Sequence, residues 1–418
     1  MNVGYTKYFI ISGIVCFVST IFILCFCVQY ASSSHTKVPL VSDEPESNSP
    51  NETNTTFDKD KKLLPKEVER FKINLDEDPK VRWKEVTEAK KEDLKKLVIY
   101  MEELMTFLLG KRIFNFVNES LPELAKTLPD PYYEEIKGIA EAGNLTVTQI
   151  TMYNIFYEVF TVCTSIITQD PSGYIHHGRN LDFGLFLGWD DHNHTWIVAE
   201  LLRPLVIHLE WYKNGSLLFE SVSYTGFIGV ITGIKKDKFS FSLDERFTWN
   251  GGYIGLLEWI MFKDHDQKWV SFLIREVMES AETYEEAKNN LITPRLLAPC
   301  YLILSGIYPG QGCVITRYRN DYNILELGSS KVGQGSWFLV ETNYDHWKEP
   351  PFYDDRRTPA IKCLNEGGQN NTGWELIYNV LSTKPVLNKL TTYTTLMDSK
   401  RGVMRTWLRT CPDPCWPW

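Results

Sequence analysis

A chain of 418 residues, 43% of them apolar and 13% aromatic, can bury a large core and is not a disordered protein. Its formal net charge of -9 leaves no basic footprint for a phosphate backbone, which excludes nucleic acid as a partner class. An acidic surface also suits an acidic compartment.

Residues 8–28 form an apolar run broken by Ser12, Gly13, Ser19 and Thr20 and preceded by a single cation, Lys7. As a helix this run spans about 31 Å, close to the thickness of a bilayer core. Residues 1–31 therefore read as a cytoplasmic tip with an uncleaved signal anchor, or as a signal peptide cut near Ala31-Ser32-Ser33-Ser34, and both readings stay open. Either way Lys7 keeps the N-terminus in the cytoplasm and sends the remainder to the secretory-pathway lumen. Residues 32–64 are rich in Ser, Thr, Asn, Glu and Pro, too polar to order themselves, and are expected to form a disordered stalk. Acceptor triplets begin at Asn51, Asn54, Asn118, Asn144, Asn193, Asn214 and Asn370. Each is weak alone, but behind a targeting segment their number predicts a glycoprotein.

Residues 65–162 read as mainly helical. Leu94, Leu97, Val98, Met101, Leu104, Met105 and Leu108 recur at three- and four-residue spacing, and Gly110 is placed to stop that helix. A second helix is expected from Thr148 to about Phe160. From Cys163 the pattern turns to strands, expected at 163–168, 195–202, 205–211, 217–224, 301–305, 313–317, 323–327 and 337–342. Short turns such as Lys213-Asn214-Gly215 and Arg319-Asn320-Asp321 demand antiparallel pairing. Helices are expected at 252–262, 270–291 and 373–381. Strands in two runs with helices outside predict an α+β fold: two antiparallel sheets flanked by helices, with residues on both sides of Cys163 in one domain.

Cys16, Cys25 and Cys27 fall within the apolar run. Cys411-Pro412-Asp413-Pro414-Cys415 reads as a local disulfide closing a turn. Cys300 and Cys313 flank two strand-like segments, leaving a bond across a hairpin open, and Cys363 has no obvious partner. His176 and His177 are adjacent, so on a strand they point to opposite faces and make a poor chelate. No metal and no cofactor are expected.

Cys163 opens the run Cys163-Thr164-Ser165-Ile166-Ile167 directly after a helical segment. An apolar-flanked cysteine is most often an inert core residue. Taken alone, Arg179 and Asp182 equally describe an ion pair across a strand, Glu245-Arg246 and Arg356-Arg357 solvated surface charges, and Asn343 a turn cap.

The pattern as a whole is more specific. Cys163 to Gly184, Asp244-Glu245-Arg246-Phe247 with Asn250-Gly251-Gly252-Tyr253, Thr342-Asn343-Tyr344-Asp345, Asp354-Asp355-Arg356-Arg357-Thr358-Pro359-Ala360 and Ser382-Thr383-Lys384-Pro385-Val386-Leu387-Asn388 resemble the acid ceramidase family, as does the terminal Cys-Pro-Asp-Pro-Cys. That family is related to N-acylethanolamine acid amidase and to the penicillin V acylase and bile salt hydrolase group. The resemblance runs from Ile73-Asn74-Leu75-Asp76 to the C-terminus.

It implies an N-terminal nucleophile hydrolase with an αββα sandwich, cut between Val162 and Cys163 into a helical α subunit (65–162) and a catalytic β subunit (163–418) that remain partners. Cys163 would be the nucleophile and its freed α-amine the base, since the amine's ordinary pKa of about 7.7–8.0 lies near working pH. Arg179 would favour the thiolate. Asp182 would orient the α-amine, Asn343 would donate to the oxyanion, and Glu245 and Arg356 would complete the polar network. The implied substrate is the amide of ceramide, with N-acylethanolamine as the alternative, in a lysosomal or other lumenal setting where an activator protein presents the lipid. An acyl groove is expected near Phe247 and Trp249. A membrane-tethered glycoprotein that binds lipid without catalysis is the alternative of another class. The family's inter-subunit disulfide is not expected here, because no cysteine lies between Val28 and Val162 although Cys363 matches its catalytic-subunit half.

Overall fold

The computed structural model describes residues 67–157, 161–183, 188–247, 255–256, 258–259 and 263–415. The apolar run at 8–28, the stalk at 32–64, Asn51, Asn54, Trp249 and most of the expected helix 252–262 lie outside the described residues.

Among the described residues, the chain before Cys163 contributes β1 (Arg70–Asn74) and five helices: α1 (Lys84–Ala89), α2 (Lys91–Leu109), α3 (Lys111–Ala125), α4 (Tyr132–Gly143) and α5 (Val147–Tyr157). β2 (Thr161–Gln169) then carries Cys163 and is followed by β3 (Ile175–Phe183), β4 (Trp189–Asp190), β5 (Thr195–Trp196) and α6 (Ile197–Leu202). A meander of β6 (Val206–Lys213), β7 (Ser216–Tyr224), β8 (Thr232–Lys235) and β9 (Phe239–Glu245) precedes α7 (Val270–Ser280) and α8 (Tyr284–Ile292). The remainder comprises β10 (Cys300–Ser305), β11 (Gly312–Arg317), β12 (Tyr322–Glu326), β13 (Phe338–Glu341), α9 (Arg357–Gly367), α10 (Trp374–Ser382), β14 (Thr391–Asp398) and β15 (Val403–Leu408).

These strands make an eight-stranded sheet, β1-β6-β7-β8-β9-β10-β11-β12, and a five-stranded sheet, β13-β2-β3-β14-β15, besides the small β4–β5 ribbon. The two large sheets pack face to face, β2 over β9; α7 and α8 cover one outer face, α9 and α10 the other. The layered α+β architecture expected from the sequence is present. β1 departs from the antiparallel rule: it comes from upstream of Cys163 and joins the sheet edge parallel to β6, Arg70 opposite His208 and Asn74 opposite Tyr212.

Two expected elements are corrected. The strand at 195–202 ends after Trp196; Ile197–Leu202 is helical, because Val198, Ala199 and Leu202 recur at helical spacing and all three are buried. The single helix at 270–291 is two. Thr283 takes the cap position, its hydroxyl accepting from the Glu286 N–H at 3.1 Å, so a new helix starts there. The β6–β7 hairpin turns on Asn214 and Gly215, both at positive φ (53° and 71°), as a two-residue turn matching the strand twist requires.

Period-two alternation on β3 divides the future site between two layers. His177 and Arg179 face the other sheet: His177 bonds Ser240 and Ser242 at 3.0 and 2.9 Å, and burial drives its pKa down to about 3. Gly178, Asn180 and Asp182 face the helices. A Cβ on Gly178 would stand 2.5 Å from Ile377 Cγ2, so only glycine lets α10 approach this closely.

The segment upstream of Cys163 is built into the same core. Trp83 meets Trp211 edge-on at 5.7 Å, Tyr132 stacks on Phe272 at 3.9 Å, and Asn154 holds both Gly226 O and the Ile228 N–H. Glu135 on α4 is fully buried between two arginines, accepting from Arg82 at 2.8 Å and from Arg275 of α7 at 2.5 and 2.7 Å.

Candidate active site

Cys163 is wholly buried in the uncut chain. β2 lies between β13, which pairs with Ser165 to Thr168, and β3, which pairs with the whole strand including Cys163. Opposite it stands Leu181, with Val162 opposite Asp182. The Cys163 side chain points between the sheets, where Arg179 Nη2 donates to Sγ at 2.7 Å. Arg179 Nη1 is held by Ile231 O (3.1 Å) and Thr232 Oγ1 (2.7 Å), which fixes the guanidinium plane. Burial pushes the thiol far up its range, and Arg179 opposes that shift.

The backbone of Cys163 is gripped from the helix side. Its N–H donates to Asn343 Oδ1 at 2.9 Å and its carbonyl accepts from Arg356. Arg356 also donates to Asn343 Oδ1 at 2.7 Å and forms a fork with Asp354 at 2.7 and 3.0 Å. With two donors converging on Oδ1, the Asn343 amide group turns its nitrogen to Glu245 O at 2.7 Å. That bond ties Glu245 into the site through its backbone carbonyl.

Asp182 lies 3.6 Å from Arg356 Nη1 and accepts from Asn388 at 2.9 Å. Burial raises its pKa to about 6, against the pull of Arg356, Thr391 and Asn388. The structure thus brings Cys163, Arg179, Asp182, Glu245, Asn343 and Arg356 together. Asn388, Asp354 and Asp244 belong to the same network without having been singled out in the sequence. All three lie in quoted motifs, Asp244 directly beside Glu245, yet only the packing of the two sheets shows that Asp244 faces Arg179 at 3.5 Å. Phe247 is 40% exposed near the site, with its ring 6.1 Å from Tyr344.

Among the cysteines, Cys411 and Cys415 form a disulfide as expected. The open pairing of Cys300 with Cys313 is overturned: on the β10–β11 ladder Cys300 sits opposite Arg317 and Cys313 opposite Leu304, and both are buried without being joined in a disulfide. Of the acceptor asparagines, Asn144, Asn193, Asn214 and Asn370 are exposed and Asn118 is half-buried on α3. Among the described residues no helix is long and apolar enough to cross a membrane.

Comparison with known proteins agrees with this geometry. The family model for the beta subunit of N-acylethanolamine-hydrolyzing acid amidase matches residues 66–128, and that for linear amide C–N hydrolases of the choloylglycine hydrolase family matches residues 163–361, beginning at the buried cysteine. Acid ceramidase of Pan troglodytes is 49% identical over 350 residues, covering 83% of this chain and 88% of that protein. Acid ceramidase of Homo sapiens is 48% identical with the same coverage. Among solved structures, a Caenorhabditis elegans N-acylethanolamine-hydrolyzing acid amidase ortholog matches with a TM-score of 0.50 at 35% identity, covering 59% of this chain and 100% of its own.

Proposed function

Because this chain belongs to the acid ceramidase family, we propose that it is made as an inactive precursor, cuts itself between Val162 and Cys163, and then hydrolyses the amide of ceramide to a fatty acid and a sphingoid base. The observation that carries this reading is the grip on one residue: Arg179 on the Cys163 sulfur, Asn343 on its N–H and Arg356 on its carbonyl.

In the uncut chain the Cys163 sulfur attacks the Val162 carbonyl carbon through a five-membered ring. The C–N bond breaks, the nitrogen takes the thiol proton, and a thioester remains. Water then adds to the thioester, the C–S bond breaks, and Val162 leaves as a carboxylate while the thiol is regenerated. No substrate reaches a wholly buried Cys163, so the cut must precede catalysis.

In the cut protein the α-amine of Cys163 accepts the thiol proton and later protonates the leaving sphingoid amine. Asp182 and Asn343 hold that amine. Asn343 Nδ2 has two hydrogens, one given to Glu245 O, leaving the second for the oxyanion of the tetrahedral intermediate. Arg356 keeps Asn343 and the Cys163 backbone in register. The acyl chain lies along Phe247, which is exposed beside the Tyr344 ring.

The setting we infer is the lysosome or another acidic lumen, with glycans on the exposed acceptor asparagines, residues 8–28 as anchor or leader, and an activator protein presenting the lipid. Identity of 48–49% to acid ceramidases against 35% to the amidase ortholog favours ceramide over N-acylethanolamine. The assembly of all six polar groups disfavours a silent lipid binder.

N-terminal sequencing of the larger fragment after acid incubation, beside a Cys163→Ala control, tests the reading. A fragment starting at Cys163, absent from the control and releasing fatty acid from ceramide, is expected; any other start overturns the mechanism.

A further inference from the structure

We propose that Asp244 is a positioning residue that sets the acid working range of Cys163: neutral, it leaves Arg179 to stabilise the thiolate, and ionised, it competes for that same cation. The inference rests on Cys163 being the nucleophile. Its ground is that one nitrogen serves two acids. Arg179 Nη2 donates to Cys163 Sγ at 2.7 Å and stands 3.5 Å from Asp244 Oδ1, while Nη1 is committed to Ile231 O and Thr232. The guanidinium cannot turn toward the carboxylate without giving up the sulfur.

The surroundings of Asp244 suit a carboxyl that keeps its proton in acid. It is fully buried; Ser165 donates to Oδ1 at 2.8 Å, and Oδ2 has no hydrogen-bond partner. A buried carboxylate ordinarily finds donors for both oxygens. Ser165 in turn accepts from Ser242, which bonds His177, so the hydroxyl row behind Asp244 is neutral.

The charged and titratable groups around Asp244 come from every neighbouring element. β2 supplies Cys163; β3 supplies His177, Arg179 and Asp182; β10 supplies Tyr301, opposite Asp244 in register; β13 supplies Glu341; β14 supplies Tyr393; Arg356 approaches from the start of α9. Arg356 is already engaged by Asp354 and Asp182, and Arg357 is bonded to backbone carbonyls. Among the described residues Arg179 is therefore the near cation left for Asp244 and the thiol, while Glu341 has only Arg357 nearby. Consistent with that shortage, burial raises Asp244 to about 7 and Glu341 to about 8.

In an acidic lumen Asp244 is neutral and the field of Arg179 falls wholly on the sulfur. As pH rises through about 7 the carboxyl ionises, shares Arg179, and pushes the thiol pKa upward, which opposes thiolate formation. Autocleavage and hydrolysis then fade together at neutral pH.

The test uses cut protein, with Asp244→Asn as an uncharged isostere and Ser165→Ala, which removes the hydroxyl donor and so holds the Asp244 proton to higher pH. Two rates are measured at about pH 5 and about pH 8: carbamidomethylation of Cys163 by iodoacetamide, read on the Cys163 peptide, and hydrolysis of a short-chain ceramide. The pH 8 to pH 5 ratio of both rates is expected to rise about tenfold over wild type in Asp244→Asn, the effect of one unit of thiol pKa, and to rise in Ser165→Ala. Ratios matching wild type in whichever variant folds overturn the proposal. Wild-type protein that neither cuts at Cys163 nor hydrolyses ceramide sinks the nucleophile reading instead, so the two failures are distinguishable.

Discussion

The Arg179 guanidinium lies 2.7 Å from Cys163 Sγ in the space between the two sheets and is itself fully buried. Its planar fork holds the sulfur, a backbone carbonyl and the Thr232 hydroxyl at once, a geometry that a lysine ammonium on a flexible stem does not reproduce. Arg179→Lys is expected to slow both cleavage at Val162–Cys163 and hydrolysis by about a hundredfold, near the loss seen when a preorganised donor is removed from a site. The check is a time course of fragment appearance beside kcat. Loss of hydrolysis with normal cleavage would show that Arg179 serves only the substrate reaction.

Asn388 predicts a shift in the acid limb of the pH profile. Its Nδ2 donates to Asp182 at 2.9 Å, and that bond holds down a carboxyl that burial has raised to about 6. Asn388→Ala removes a donor to the charged form, so the Asp182 pKa rises, by about one unit for a bond to a carboxylate. A smaller share of Asp182 is then ionised at acid pH, and the acid limb of kcat moves to higher pH while KM changes little. A profile superimposable on wild type would count against Asp182 acting as an anion.

How much of this was legible before the fold is visible in particular residues. Cys163, Arg179 and Asp182 came from the family resemblance carried by one short stretch; the β2–β3 ladder then sets Arg179 on the Cys163 sulfur between the sheets and Asp182, opposite Val162, on the helix side. Asn388 and Asp244 were passed over because each is one polar residue in its motif: Asn388 reaches Asp182 from the segment just before β14, and Asp244 meets Arg179 only through the packing of one sheet on the other. β3 was not read as a strand because its inward positions are His177 and Arg179, polar residues that satisfy themselves between the sheets. The segment 195–202 misled for the opposite reason: a short apolar run carries no period that separates a buried strand from a buried helix turn.

Buried acids make the fold itself pH-dependent. Asp182, Asp244 and Glu341 have folded pKa values raised to about 6, about 7 and about 8, above the roughly 3.9–4.3 of an unfolded chain. Between those limits the folded state binds more protons than the unfolded one, so stability falls as pH rises. His177, lowered to about 3, acts in the opposite sense, but only below its unfolded value of about 6.5. From about pH 6.5 to about pH 8 the carboxyls act without that offset. The Tm of uncut Cys163→Ala protein is expected to fall by several degrees across this window. A Tm that rises there would contradict the protonated state assigned to these acids.

Among the described residues no disulfide joins the two pieces that the proposed cut leaves. The upstream segment has no cysteine between Val28 and Val162, and Cys363 is a free thiol whose Sγ lies 3.8 Å from the Thr383 hydroxyl. What joins them is β1 in the large sheet, the aromatic contacts of Trp83 and Tyr132, and the buried Glu135 between Arg82 and Arg275. Removing one member of such a cluster leaves an uncompensated buried charge, at about 3–5 kcal/mol. Arg275 keeps a second partner in Glu279, so the unpaired charge falls mainly on Arg82. In uncut protein the covalent link keeps the segments at high local concentration, and Glu135→Gln is tolerated there. After the cut that link is gone. On a sizing column under reducing conditions, cut wild type is expected to elute as one particle and cut Glu135→Gln as two, while Glu135→Gln in the Cys163→Ala background stays whole. Separation of wild type on reduction alone would mean that a disulfide joins the pieces; co-elution of cut Glu135→Gln would mean that β1 and the aromatic contacts suffice.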